Sequence, residues 1–276
     1  MNQAAGILAR WGRLGSDLLS SLSEVDWQPA QRMVDAMRGW AEVQKVKYFR
    51  LLERSEGRFG QFGDPLRVDF GAHRWLKENR EESYSAWLAW IIEQLESPRE
   101  VFALFKLEAE NAVTAECVGI RPHVVCEKCI KVPKGEGRLD IIIEYEKVAL
   151  IVVEVKRVST DEAELDKQGG YRIWMDQQDA YNEKRRFPVL LASKGEEEEE
   201  YPGGFRYISW AHVCVELRRV APRYITGSPI VAAMILAFVS AVERNLLDMS
   251  LPDRDAPAMT WMAQSAVFDQ IEASLN

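Results

Sequence analysis

The chain has 276 residues, 47% hydrophobic and 28% charged, and its 35 basic against 43 acidic side chains give a net charge of −8. That length supports one sizeable core, and the composition excludes a disordered or fibrous chain. The acidic balance excludes broad, nonspecific adhesion to nucleic acid, which needs a positive surface to displace phosphate counterions, although a local basic groove remains open.

The opening "MNQAAGILARWGRLGSDLL" lacks a basic start followed by an apolar run and a cleavage site. Four cysteines without such a signal favour a reducing cytoplasm over a disulfide framework. From about residue 4 to 54 apolar side chains recur at helical spacing. Leu8, Trp11 and Leu14 mark one stripe, and Met33, Met37 and Trp40 with Val43 or Val46 mark another. These stripes predict an N-terminal helical subdomain over 1–65, packed against a larger domain over 66–276 or joined to a second copy or another protein. "SEGRFGQFGDP" (55–65), with three glycines and a proline, reads as a loop or joint. Its Phe59 and Phe62 favour docking over a free tether.

"REESYSAWLAWIIEQL" (80–95) is an amphipathic helix, and another helix is expected over 101–113. The pattern then turns strand-like: "HVVCEKCIKV", a "KGEG" turn, and two Ile- and Val-rich runs at 139–145 and 149–157, the second nearly continuous as in a strand buried on both faces. A helix over 159–184 opens on a Ser-Thr-Asp cap and is weakened by Gly169 and Gly170. "FPVLLAS" and "FRYISW" are further strands, "WAHVCVELRRV" starts a helix, and a last long helix covers 229–249. The apolar run at 230–242 is shorter than the ~20 residues that span a bilayer, so no membrane partner is expected. The acidic run 196–200 reads as a solvated loop. This order predicts an α/β fold whose central mixed β-sheet is flanked by helices. The three adjacent strands form an antiparallel meander, and the helix after the third leads to a parallel fourth.

Within the two most apolar strands stand Asp140, Glu154 and Lys156. Glu154 and Lys156, two apart, leave one face of their strand. A two-residue turn at 146–147 would set Asp140 against Val153, whereas a three-residue loop at 146–148 pairs Tyr145 with Ala149 and Asp140 with Glu154. The odd loop is the expectation. Two carboxylates brought together on a sheet repel and are costly to desolvate unless a cation joins them. Magnesium suits oxygen ligands, and phosphate can replace some of its waters. Lys156 beside such a site would orient or activate a water and offset charge on a phosphate.

These residues resemble the PD-(D/E)xK nuclease superfamily, in "GRLD" ending at Asp140 and "VVEVK" holding Glu154 and Lys156. "EESYSAWLAW", with Glu81, Ser85, Leu88, Ala89 and Trp90, is similar to the first core helix of one branch. "QGGY", with Gln168 and Tyr171, is similar to its Gln-x-x-Tyr, although glycines follow Gln168 where a bulky residue is usual. The resemblance covers about 80–220. It implies a restriction-endonuclease-like core and a metal-dependent endonuclease acting on DNA, in restriction, phage defence or repair. Asp140, Glu154 and Glu81 would hold Mg2+, with Mn2+ able to substitute, while Lys156 assists the water and Gln168 supports the site. Nothing in the sequence excludes RNA.

Plainer readings stand beside these. Glu154 with Lys156 would be a surface salt bridge on an edge strand, Glu81 or Glu82 a charge favouring the helix start, and Gln168 with Tyr171 packing residues. "CEKC" lacks two further ligands for zinc and is read as ordinary buried thiols. Trp174 with Lys167, Arg172 and 184–186 suggests an aromatic and basic groove or a solvated helix face. The competing function is a non-catalytic binding or regulatory subunit that keeps the nuclease fold.

Overall fold

The computed structural model describes residues 27–60, 76, 80–107, 111–133, 135–156, 162–193, 204–249 and 251–276. The helices α1 (Gln28–Phe59), α2 (Glu81–Gln94), α3 (Pro98–Leu104) and α4 (Asn111–Glu116) precede the strands β1 (His123–Val132), β2 (Gly135–Tyr145) and β3 (Ala149–Val155). After α5 (Glu162–Asp176) come β4 (Arg186–Ala192), β5 (Arg206–Ser209), α6 (Trp210–Tyr224), α7 (Pro229–Asn245), α8 (Ala258–Ala263) and α9 (Ser265–Leu275).

The strands form one five-stranded sheet in sequence order. β1, β2 and β3 are antiparallel neighbours, and β4 and β5 add in parallel. The short connections between the first three strands permit only hairpins, whereas α5 gives the length a parallel return needs. All seven residues of "ALIVVEV" in β3 are buried, because β3 lies between β2 and β4 and is covered on both faces. Ile151, Val153 and Val155 pack with Tyr84, Leu88 and Ile92 of α2 and with residues of α6 and α7. Leu150 and Val152 pack with Tyr171 and Met175 of α5. The α/β architecture with a mixed sheet flanked by helices is therefore as expected.

A third apolar cluster lies apart from the sheet. There Tyr48, Leu51 and Leu52 of α1 meet Trp261 of α8 and Val267, Phe268 and Ile271 of α9. Lys45 Nζ donates to the Ala256 carbonyl at 2.9 Å, and α9 is tied to α6 by Gln270 Nε2 donating to the Ala211 carbonyl at 2.8 Å. The second half of α1 is thus docked on the rest of the chain. The stripe read from the sequence is not the docked one: Met33, Met37, Trp40, Val43 and Val46 are exposed, and Ala41, Tyr48, Leu51 and Leu52 are buried.

Several boundaries differ from expectation. α1 continues through Ser55 to Phe59, so the glycine-rich joint begins as helix; Ser55 is buried there and Arg58 Nη1 donates to the Leu275 carbonyl at 2.9 Å. The helix expected over 101–113 is two helices, α3 and α4, since Lys106 turns to φ 51° just past α3. α5 ends at Asp176, where Gln177–Tyr181 turns the chain toward β4. The helix α7 is not the last, because α8 and α9 follow and cover α1. Leu8, Trp11, Leu14, Phe62 and the acidic run lie outside the described residues, as does the side chain of Phe59. No helix among the described residues is long and apolar enough to cross a membrane.

Candidate functional site

The loop between β2 and β3 has three residues. Tyr145 pairs with Ala149, the Val148 N–H donates to the Tyr145 carbonyl at 2.6 Å, and Lys147 takes φ 60°. The ladder runs to Ile141 with Val153, and one step further in that register sets Asp140 opposite Glu154. There the side chain takes over from the backbone: the Val155 N–H donates to Asp140 Oδ2 at 2.7 Å. The chain direction at this end of β3 is held from two more sides. The Lys156 N–H donates to the Leu191 carbonyl on β4 at 2.7 Å, and the Lys156 carbonyl accepts from Trp210 Nε1 at the start of α6 at 3.1 Å. Trp210 is therefore part of the support of the site, a role with no signal in the local sequence around Lys156.

Asp140 is 9% exposed, Glu154 5% and Lys156 9%. β3 is central in the sheet, so the surface salt-bridge reading does not hold. Lys156 Nζ lies 3.0 Å from Glu154 Oε1 and 3.7 Å from Glu81 Oε2. Of the two adjacent acids at the start of α2, Glu81 meets Lys156, whereas Glu82 faces Arg138 at 3.4 Å. Ser85, one helical turn along α2, is buried and returns its hydroxyl to the Glu81 carbonyl at 3.1 Å. Burial pushes the Asp140 carboxyl up to about 6, against the Val155 N–H and the Lys156 ammonium, with Glu127 and Glu81 adding to the rise. Burial works against the Lys156 ammonium, but Glu154, Asp140 and Glu81 together hold its proton above the ordinary lysine range. Lys156 is thus a cation at neutral pH. It can orient a water or face an anion, and it cannot take a proton in this state.

The sequence reading missed Glu127. Pairs Cys126 with Ile141 and Lys128 with Leu139 bracket Glu127 and Asp140, and Glu127 takes φ 54°, which a residue with a side chain adopts at a cost. The distortion reverses the faces of both strands. Val125 and Ile130, five apart, join the cluster under α5, as do Leu139 and Ile142, three apart. Regular alternation would separate each pair. Glu127 Oε2 lies 2.6 Å from Arg138 Nε, and burial raises its carboxyl. Arg138 is held between Glu127 and Glu82, two residues before Asp140, with about half its side chain in solvent. Only the unusual Glu-Lys pair inside a strand hinted at this.

The "QGGY" segment lies on α5. Tyr171 is buried and its hydroxyl donates to the Arg138 carbonyl at 3.1 Å. A methyl group on Gly137 would fall 2.6 Å from Tyr171 Cε1, and one on Gly170 would fall 3.2 Å from Val132 Cβ. The two glycines let α5 lie directly on the β1–β2 hairpin behind Asp140, which gives a physical reason for a glycine where a bulky residue was expected. Gln168 is on the same helix, and its side chain lies outside the described residues.

The other motifs are less coherent. Cys117 and Cys214 are buried, Cys126 is half-buried with its thiol toward the Ser85 carbonyl at 3.8 Å, and Cys129 is exposed, which corrects the uniform buried-thiol reading. The basic side chains around Trp174 face carboxylates: Arg172 and Arg186 meet Asp176, and Arg185 forms a two-pronged pair with Glu116. Lys128 lies over the Trp174 ring at 5.4 Å. The side chain of Lys167 is outside the described residues. A cavity of about 700 Å³ between α3 and α6 shares no lining residue with the site, and its Arg219 and Arg223 pair with Glu216 and Glu100.

Asp140 and Glu154 provide the oxygen donors magnesium prefers, and one or two carboxylates suffice when waters and phosphate oxygens complete its shell. The raised Asp140 carboxyl marks buried negative charge that a divalent cation would relieve. Among the described residues no three His, Cys, Asp or Glu side chains group closely enough to hold a metal between them, and Glu81 stands against Lys156 in this arrangement. The chain's donor set therefore fits a magnesium ion held by two carboxylates and completed by water or phosphate. No protein-family model, no curated protein and no solved structure matches the chain.

Proposed function

We propose that the chain is a metal-dependent endonuclease of PD-(D/E)xK type, with a restriction-endonuclease-like core, that hydrolyses phosphodiester bonds in DNA. The observation that carries this reading is the burial of Asp140, Glu154 and Lys156 together at the splayed end of the β2–β3 hairpin, where an apolar sheet has no structural need of charge. Asp140 and Glu154 would hold Mg2+, or Mn2+ in its place, and Glu81 would complete the acidic set once Lys156 turns toward substrate. The ion supplies Lewis-acid polarisation of the phosphate and of a water. Lys156, which keeps its proton, would orient the water and oppose the charge that grows on the phosphoryl oxygens. Arg138, half in solvent and braced by Glu127 and Glu82, meets the neighbouring backbone phosphate. Gln168, on α5, supports the site.

A second reading is favoured by the 3.0 Å pair itself: Lys156 already neutralises Glu154, so the fold stands without a divalent ion, as in a binding or regulatory subunit. One set of measurements separates them. With Mg2+, purified protein should cut plasmid or linear duplex DNA, and Asp140→Ala or Lys156→Ala should reduce cutting at least 100-fold, a typical loss for a group acting in the transition state, without unfolding. Single-stranded, branched and RNA substrates run alongside identify the nucleic acid. Mg2+ should also raise the Tm of the parent above pH 6 and progressively less below it, as Asp140 takes up its proton. Cutting that survives both substitutions removes this site from the chemistry, and a Tm indifferent to Mg2+ and Mn2+ favours the regulatory reading.

A further inference from the structure

The cavity of about 700 Å³ between α3 and α6 is built unlike a surface network of ion pairs. Its floor is apolar, with Phe102, Ala103 and Val220 all buried. Its lining also brings three arginines together, Arg99 of α3 and Arg219 and Arg223 one turn apart on α6, against two carboxylates, Glu100 and Glu216. The carboxylates lie behind the cations: Glu100 and Glu216 are each 7% exposed, whereas the side chains of Arg219 and Arg223 are 46% and 63% exposed. An exposed ion pair contributes little to stability and has no need of a buried carboxylate, whose desolvation is costly.

Glu100 is fixed from two sides. Its Oε2 accepts from the Tyr224 hydroxyl at 2.8 Å, Tyr224 in turn accepts from the Glu96 N–H at 2.8 Å, and Glu100 Oε1 accepts from Arg223 Nη1 at 2.9 Å. A guanidinium carries five N–H donors in a rigid fork, and this contact uses one of those of Arg223. Arg219 is held by Glu216, one turn back on α6. Both arginines are thus set in place before a ligand arrives, which lowers the ordering cost of binding. Three guanidiniums against two carboxylates leave the cleft a net cation in a chain whose net charge is −8. A cationic ligand is repelled there, and an anion is favoured. Guanidinium donors converging from two helices match the tetrahedral oxygens of a phosphate better than the planar pair of a carboxylate, which one fork can satisfy. The volume lies within the range of small-ligand sites, and the apolar floor suits a ring attached to the phosphate.

We propose that this cleft binds a free organic phosphate of nucleotide size, with Arg99, Arg219 and Arg223 on the phosphate oxygens and the apolar floor beneath the ring. The inference does not rest on the nuclease reading, since no residue of the cleft belongs to the site on β3. Calorimetric titration of the full chain with ADP, in EDTA so that no divalent ion contributes, should show saturable binding. Arg99→Gln, Arg219→Gln and Arg223→Gln should each weaken it about tenfold or more, the loss of one charge-assisted contact. Arg99 takes no part in the ion pairs of Arg219 and Arg223, so its variant tests the cleft even where an α6 variant fails to fold. Adenosine and succinate should each bind more weakly than ADP by about the same factor. Absence of ADP binding, or an affinity that withstands all three substitutions, overturns the proposal. Succinate binding as tightly as ADP overturns the assignment to phosphate. A short 5′-phosphorylated oligonucleotide that needs these arginines, where ADP does not bind, also overturns it, because the cleft then serves a nucleic-acid strand.

Discussion

Asp140 shows what a buried carboxyl costs an apolar sheet. Its carboxyl titrates near 6 in the folded chain because burial disfavours the charged form, against an ordinary value of 3.8. The folded state therefore binds this proton more tightly than the unfolded state does. Stability from this group is greatest below pH 3.8 and declines as pH rises to about 6, by a total on the order of 2–3 kcal/mol. Asp140→Asn keeps an oxygen for the Val155 N–H and removes the charge. It should melt higher than the parent at pH 8, with the difference shrinking between pH 6 and pH 4, while cutting is lost. A difference that is the same at pH 8 and pH 4 would show that Asp140 is not the titrating group. A gain of stability together with a loss of cutting is the trade expected if Asp140 holds the proposed metal.

At the scale of elements, the site depends on how closely α5 approaches the β1–β2 hairpin. Gly137 and Gly170 remove the side chains that would hold them apart, and Tyr171 fills the gap with its ring over Gly137 and its hydroxyl on the Arg138 carbonyl. Gly137→Ala places a methyl inside the Tyr171 ring contact, and overpacking of this kind costs about 1–3 kcal/mol. The same substitution should lower cutting, since Arg138 and Asp140 follow directly on the strand. Combined with Tyr171→Ala, it should cost clearly less than the two single losses added, because the clash is absent in the double variant. Thermal melts and cutting rates of the four proteins check this; strict additivity would mean that Tyr171 yields without disturbing the hairpin. The reversal of faces at Glu127 acts at this scale too. It turns the ends of β1 and β2 so that Leu139 lies under α5 while Ile141 lies under α2.

At the scale of the described molecule, α1 packs against the C-terminal helices α8 and α9. Trp261 is buried, stacks on Phe268 with centroids 5.6 Å apart, and meets Phe49 at 4.6 Å. Tyr48 stacks on Phe268 at 3.9 Å. This cluster contains no sheet residue. Trp261→Ala should therefore remove roughly 3–5 kcal/mol from this cluster and leave the sheet folded. Hydrogen exchange should speed over residues 44–56 and 258–272 and stay slow in β2 and β3. Loss of protection in both regions together would show one cooperative core instead of two.

Much of the site was legible in the sequence because it rests on local rules. Charges two apart share a strand face, and parity demanded a three-residue loop to bring Asp140 to Glu154; both follow from the two-residue period of a strand. The runs of Ile and Val in β2 and β3 marked a sheet covered on both sides, and the antiparallel meander with a parallel return followed from connection lengths. The rest depended on contacts between segments far apart in the chain. The anchoring of Lys156 by Trp210, the bracing of Arg138 by Glu127, and the approach of Glu81, not Glu82, to Lys156 have no local signature, since each depends on how separate elements approach. The stripe on α1 is the clearest case. Periodicity marked Met33, Met37 and Trp40 as the apolar stripe, but a helix has several apolar directions, and burial fell instead on Tyr48, Leu51 and Leu52, where α8 and α9 pack.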